Sequence, residues 1–416
     1  MTNLSDKLKS LGVKVGAKDL APPQARNTYP IEQVLSGRLL ESSAGEAYIV
    51  ETVYPPDHLH GHTGLIISAS LAAIAEWADE RRILSYPPSS FYFLDCETTG
   101  LAGGTGTYAF LVGIGCFTDD GFRLTQFFMR DLTEEPAQLL ALEEFLAPCR
   151  VLVTFNGKAF DIPLLTTRYI VQGWHSPLAS VAQLDLLHLA RRLWRERFPS
   201  RTLGTLETHI LGARRTLEDI PGWMIPQMYF DYLRSGDARP LTNVFYHNSM
   251  DVLALAALLN HATHLLEDPL HGTVEHYLDQ YAIGRLFEDL GRWDEAVELY
   301  RRSLDDEAKY DPAVRDKLIE DILRRLSFLH KRRGELSMAV DLWKQAAQRQ
   351  HLYAYIELAK YYEHDQRDYN EAIHWTQSAL ELVSAPGLAR FERLQWQPDL
   401  DHRLARLYKK AGQADE

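Results

Sequence analysis

The apolar positions of this chain keep three different rhythms, and each predicts a different kind of element. From about 91 to 155 they come in short runs. FYFLD (91–95), YAFLVGIGCF (108–117) and FRLTQFFM (122–129) read as strands. A helix is predicted over about 134–147, opened by Thr133 and Glu134 with Pro136 in its first turn. VLVTF (151–155) follows as a continuous apolar strand, with helices expected after 158, 183 and 248. Hairpin-like strands followed by strand–helix alternation predict an α/β mixed sheet flanked by helices.

From about 276 the rhythm is helical and it repeats. YAIGRLFEDLGRWDEAVELYRRSL (281–304), ILRRLSFLHKRRGELSMAVDLWKQAAQ (322–348) and YIELAKYYEHDQRDYNEAIHWTQSALEL (355–382) each read as helix, turn, helix. The small residue of the second helix falls at Ala296, Ala339 and Ala372, separations of 43 and 33. The second separation fits a tetratricopeptide-like period of about 34 residues, and the first is that period plus an insertion. LARLYKKAG (404–412) reads as one more helix closing the stack, with Tyr300, Trp343 and Trp375 filling between repeats.

Ahead of these zones, residues 1–30 are polar and APPQ (21–24) reads as linker. GEAYIVETVYPP (45–56) reads as a strand, GLIISASLAAIAEWADERRIL (64–84) as a helix and SYPPSS (85–90) as a second linker. The expected domains are an N-terminal linker and small cap-like region (1–90), an α/β domain (91–268) and an all-α helical repeat domain (276–416).

Composition narrows the function. Hydrophobic residues at 46% and charged residues at 24% of 416 describe an ordinary globular chain of two or three domains. No run of 18 apolar residues predicts a membrane span, and the first 20 residues lack the apolar core of a secretory signal. Three cysteines (Cys96, Cys116, Cys149) without CxxC spacing argue against a disulfide framework, so a reducing, cytoplasmic setting is expected. A net charge of −13 excludes nucleic-acid binding by bulk attraction; a local basic strip or metal ions would have to supply it.

The candidate chemistry begins at the end of the first of these strands, FLDCETTG. Asp95 and Glu97 point the same way on a strand, and two carboxylates that close repel unless a cation joins them. After strand 151–155, NGKAFD carries Asp161 onto a first helical turn. VFYHNSMDVLAL (244–255) brings Asp251 at the start of an amphipathic helix, with His247 four residues earlier and Tyr246 five earlier.

This order resembles the DEDD-type 3′–5′ exonucleases of the ribonuclease-H-like fold over about 91–265. Asp95-Cys96-Glu97 matches their first motif, Asn156 through Phe160 and Asp161 their second, and Tyr246 to Asp251 their third. FLDCETTGL, FNGKAFDIPLL, LDLLHLARRLW, IPG and YHNSMDVLAL together look like the bacterial YprB-like group, which joins such a domain to a tetratricopeptide tail. The resemblance implies that Asp95, Glu97, Asp161 and Asp251 hold two Mg²⁺ or Mn²⁺ ions, hard cations suited to carboxylate oxygens. It further implies that Tyr246 or His247 orients or deprotonates the attacking water. The two residues stand in swapped positions relative to the family's His and Tyr branches. The imidazole is the easier base near neutral pH and favours His247.

Several motifs lie around this set. Asp185 in QLDLLHLARRLW reads as a helix-start charge or a fifth carboxylate, and His188 as a packed or partner-bound histidine. Arg191, Arg192 and Arg195 form a basic strip that is either a solvated face or a phosphate contact beside the site; Asn156 and Lys158 are further candidate nucleic-acid contacts. Over 91–265, 14 Lys+Arg face 18 Asp+Glu, so the domain is neutral once four carboxylates hold metal. GLAGGTGTY (100–108) lacks the GK[ST] ending of a nucleotide loop and reads as a hairpin connection. HLHGH (58–62) reads as a surface loop, with a zinc site as the lesser alternative.

The expected function is metal-dependent hydrolysis of DNA or RNA, foremost as a 3′–5′ exonuclease, with the repeats holding a protein partner. A structure-directed endonuclease and a repeat-based scaffold with weak or no catalysis are the alternatives.

Overall fold

A computed structural model describes residues 28–100, 104–272, 274, 276–385 and 390–414. The expected linker at 21–24 and the middle of the glycine loop, 101–103, lie outside the described residues. The chain divides into two compact units, one reaching to Leu189 and including Ser200–Thr263, the other made of Ala190–Pro199 with His264–Glu416.

The first unit is built on seven strands in the order β1-β2-β7-β6-β5-β8-β9. These are β1 (Arg38–Ser42), β2 (Gly45–Tyr54), β5 (Phe91–Thr98), β6 (Ala109–Thr118), β7 (Gly121–Phe128), β8 (Val151–Thr154) and β9 (Ala182–Asp185). The short β3 (Leu59–His60) and β4 (Thr63–Gly64) pair separately. β5 is the junction of the sheet: it pairs antiparallel with β6 and parallel with β8. β6 is buried at nine of its ten positions, as expected of a strand covered on both faces. One face packs Val112 and Ile114 against Leu139, Leu142, Leu165 and Tyr169 of the Glu135–Leu146 and Asp161–Val171 helices. The other packs Phe110 and Phe128 against Tyr229, Val244 and Phe245 of the Ile225–Ser235 and Leu241–Glu267 helices. Phe110 and Tyr229 stack with ring centroids 4.0 Å apart. Each such buried ring contributes about 1.5–3 kcal/mol by burial alone.

Two expectations for the N-terminal region need correction. Residues 38–54 are not a separate cap, because β2 pairs with β7 over seven residues and extends the central sheet. The 64–84 stretch is α-helical only over Ala72–Trp77. Leu65 and Ile67 are buried along an irregular path before it, and Asp79 turns left-handed (φ 51°) just after it. Their spacing imitated a longer helix.

The second unit is helical. Its helices are Tyr277–Asp289 and Trp293–Asp305, Arg315–Arg332 and Leu336–Gln348, Leu352–Tyr361 and Tyr369–Ser384, then Arg390–Ala414. Ala296, Ala339 and Ala372 are fully buried where paired helices meet, and Tyr300 and Trp343 are buried with them. The last helix is clasped by one carboxylate. Glu363 has no side-chain exposure and receives Arg403, Arg406 and Lys410 at 2.6, 2.9 and 2.9 Å. Among the described residues, no helix is long and apolar enough to cross a membrane.

Candidate metal centre

Asp95 and Glu97 occupy alternate positions near the end of β5, where the pairing with β6 slips between Glu97 and Thr98. Asp95 lies opposite Gly113 of β6, which lies opposite Gln126 of β7. The fully buried Asn248 of the Leu241–Glu267 helix sits across this row. Its Nδ2 donates to Asp95 Oδ2 at 2.8 Å, and its Oδ1 accepts from Gln126 Nε2 at 2.9 Å. Only glycine permits this approach, since a Cβ at 113 would lie 2.1 Å from Asn248 Oδ1. That docking delivers the next helical turn to the strand end. Glu97, His247 and Asp251 each present a ligand atom within 4.8 Å of the others.

The second motif arrives by a turn. After β8 the chain bends left-handed at Asn156 (φ 65°), and Asp161 opens the Asp161–Val171 helix. Asp185, at the end of β9 and nearly buried, fixes this turn. It accepts from the backbone N–H of Asn156 at 2.7 Å, of Lys158 at 3.1 Å and of Leu187 at 3.0 Å. Asp185 is therefore a backbone anchor. The Cys96 thiol donates to Asp161 and links the first motif to the second.

Such crowding disturbs the carboxyls. Burial, followed by the charges of Asp251, Glu97 and Asp161, pushes Asp95 well above the usual carboxylate range. Burial, then Asp251 and Asp161, does the same to Glu97, with Arg215 opposing. Burial pushes Asp161 up to about 6, against hydrogen bonds from its own backbone N–H and Cys96. Acids held this way need protons or cations, and the carboxylate oxygens of Asp95, Glu97, Asp161 and Asp251 are donors of the kind that Mg²⁺ or Mn²⁺ prefers.

One cation is built in. Arg215 donates through Nε to Glu207 Oε2 at 2.7 Å and through Nη2 to Asp251 Oδ1, and its Nη1 lies 3.4 Å from Asp219 Oδ1. Burial works against its charge, but Asp251 and Glu207 outweigh that and raise its pKa. Glu207 in turn meets the buried His60 at 2.8 Å, so one histidine of HLHGH braces this network.

His247 and Tyr246 separate clearly. His247 Nδ1 meets Asp219 Oδ1 at 2.8 Å and lies 3.3 Å from Arg215 Nη1, while its Nε2 is 3.4 Å from Asp251 Oδ2. The Tyr246 hydroxyl accepts from the Thr216 backbone N–H at 3.0 Å. A cavity of about 470 Å³ opens beside Gly204, Arg215, Asp219, Gly222, His247 and Asp251.

The ligand group and the cavity lining include none of the other candidates. Lys158 is exposed, and Asn156 contributes its backbone N–H to the turn. His188 is exposed instead of packed. The basic strip falls in the second unit, where Arg192 pairs with Asp289 at 2.5 Å and Arg191 and Arg195 are exposed.

Sequence reasoning missed Asn248, Arg215 and Asp219. Asn248 carried one signal, a polar residue between His247 and Asp251 at the start of an otherwise apolar helix. Arg215 in GARRTLED carried none.

Residues 92–263 match the RNase_H superfamily and residues 281–312 a tetratricopeptide repeat. Fold, acidic cluster and match together define an RNase H superfamily domain, which points to a nuclease, followed by helical repeats. More narrowly, the chain is 32% identical over 373 residues to a Bacillus subtilis (strain 168) protein titled "Uncharacterized protein YprB", covering 87% of this chain and 86% of that one. It belongs to this YprB family. Among solved structures it is similar to the family B DNA polymerase of the hyperthermophilic archaeon Pyrobaculum calidifontis. The TM-score is 0.33 at 20% identity, over 51% of this chain and 29% of the polymerase chain.

Proposed function

We propose that the protein is a metal-dependent 3′–5′ exonuclease acting on DNA or RNA, with Asp95, Glu97, Asp161 and Asp251 holding two Mg²⁺ or Mn²⁺ ions. The observation that carries the reading is the meeting of Glu97 with His247 and Asp251, residues 150 or more positions apart, within 4.8 Å. Bound ions supply the Lewis acidity that phosphodiester hydrolysis needs.

His247 is the base. Asp219 holds its Nδ1–H, which leaves the Nε2 lone pair facing the carboxylates, ready to take a proton from an attacking water. Arg215 offsets charge at Asp251. Asn248 fixes Asp95 against the sheet. The helical repeats offer a surface for a protein partner.

The test is cleavage of 3′- and 5′-labelled single- and double-stranded DNA and RNA with Mg²⁺ or Mn²⁺, comparing wild type with Asp95→Ala and His247→Ala. A one-nucleotide ladder from the 3′ end, lost in both variants and in EDTA, is expected. Internal cuts lost in both would replace exonuclease by endonuclease. Cleavage insensitive to Asp95→Ala would refute the site.

A further inference from the structure

The helical unit contains a groove of about 550 Å³ whose walls include Arg195, Arg285, Lys317, Arg324 and Arg325. A smaller hollow of about 210 Å³ shares Arg324 and Arg325 with it and reaches Arg332. Four acids also line these spaces, but two are consumed internally. Asp321 accepts from Tyr281 at 2.5 Å, Arg324 at 2.9 Å and Arg325 at 2.6 Å. Glu288 accepts from Tyr300 at 2.7 Å and Arg325 at 2.9 Å. The remaining two, Glu196 and Glu320, are half-exposed; Glu196 lies 3.9 Å from Arg285 and Glu320 3.9 Å from His351, an imidazole whose burial disfavours its charge.

On the positive side, Arg195, Lys317 and Arg332 are exposed and form no ion pair among the described residues. Lys317, Arg324 and Arg332 recur at steps of seven and eight residues on the Arg315–Arg332 helix. Such steps bring side chains back to one face, in a row about 22 Å long at 1.5 Å per residue. A small anion needs one such cation. A row of this length suits an extended polyanion.

We propose that this groove is a track for single-stranded nucleic acid, gripping the phosphates through Arg195, Lys317, Arg324 and Arg332. The choice of nucleic acid over an acidic polypeptide rests on the nuclease reading, because the same chain carries a centre suited to phosphodiesters. Guanidinium forks also match phosphate oxygens in pairs. The repeat unit would then hold substrate as well as a partner, and the phosphate contact sought at 191–195 would belong to this unit.

The test uses the full chain in EDTA, where no cleavage occurs. A 5′-fluorescein oligodeoxythymidine 20-mer is titrated by anisotropy against wild type, Lys317→Glu, Arg332→Glu and the double variant. At 0.1 M salt a single lost phosphate contact weakens binding about five-fold, and two about 25-fold, on a slope of roughly 0.7 per contact for single strands. The plot of log affinity against log salt should flatten by about 1.4 in the double variant. Circular dichroism melts confirm folding, and Lys317→Gln with Arg332→Gln replaces any variant that melts early. Failure of wild type to bind, or unchanged affinity and slope in the folded double variant, overturns the proposal. So does a poly-glutamate peptide of equal length bound as tightly as the oligonucleotide, which would assign the groove to an acidic protein. Binding without Mg²⁺-dependent cleavage would sink the nuclease reading and leave the groove in place.

Discussion

Replacing Asp185 by asparagine changes almost no volume and removes one acceptor oxygen. The Oδ1 atom accepts from Asn156 and Leu187, and Oδ2 from Lys158. If the amide keeps its oxygen at the Oδ1 site, its NH₂ group faces the Lys158 N–H, donor against donor. If it flips, two N–H groups lose their acceptor instead of one. A nearly buried group left unpaired costs about 1–3 kcal/mol, so the smaller loss still lies in that range. A change of 1 kcal/mol moves the melting midpoint of a unit this size by about 2–4 °C, which predicts a drop of roughly 2–12 °C for Asp185→Asn. Asp185→Ala, which strands all three donors, should fall further. The turn they secure ends at Asp161, so Mn²⁺-dependent cleavage should fall with stability. His247→Ala should by contrast lose activity while melting like wild type. The assay is a differential scanning fluorimetry melt paired with the labelled-oligonucleotide assay. A melt of Asp185→Asn within 1 °C of wild type would refute the anchoring role.

Other consequences follow from the same contacts. Asp161 titrates near 6 in the fold and near 3.8 in its ordinary state, so between those values the fold holds the extra proton and metal-free stability falls as pH rises. The raised carboxyls of Asp95 and Glu97 act in the same direction. Mn²⁺ should therefore raise the melting midpoint more at pH 8 than at pH 5, and an equal or reversed shift would count against a carboxylate metal centre. Gly113→Ala places a Cβ 2.1 Å from Asn248 Oδ1 and should cost about 1–3 kcal/mol through forced repacking, read by urea unfolding, with cleavage reduced as Asp95 loses its donor. In the helical unit, Glu363→Ala leaves Arg403, Arg406 and Lys410 without their shared buried acceptor. The cations left behind are partly exposed, so it should cost about 1–3 kcal/mol, seen as an early loss of helical circular dichroism; an unshifted melt would make the clasp decorative.

The parts of this molecule legible in the sequence are those where one residue type answers one local constraint. Carboxylates at alternate positions on a strand end, and an Asp on the first turn of a helix after a glycine turn, announce themselves by spacing. The small residues at 296, 339 and 372 did the same for the repeats, because helices that cross closely leave no room for a larger side chain. What spacing hid was long-range. Arg215 looks like any surface arginine until Glu207 and Asp251 close on it. Tyr246 and His247 are adjacent, and only the docking of their helix through Asn248 onto Gly113 decides which one looks at the carboxylates. The arginines at 191–195 read equally as a solvated face or as a phosphate contact beside the site, and their segment folds with the helical unit. The strand at 45–54 was recognised as a strand, but its pairing with β7 depends on residues 68 to 80 positions away.

The hydrogen bond from Asn248 to Asp95 joins residues 153 apart in sequence. A ribosome adding about 5–20 residues per second needs roughly 8–30 s to make that stretch. Until it does, the strand carrying Asp95 and Glu97 exists without Asn248 or Asp251. A chain ending before residue 247 carries Asp95, Glu97 and Asp161 but neither His247 nor Asp251, so the proposed centre cannot close on it. The distance between motifs that hides the site from a local reading also delays its assembly until most of the first unit is complete.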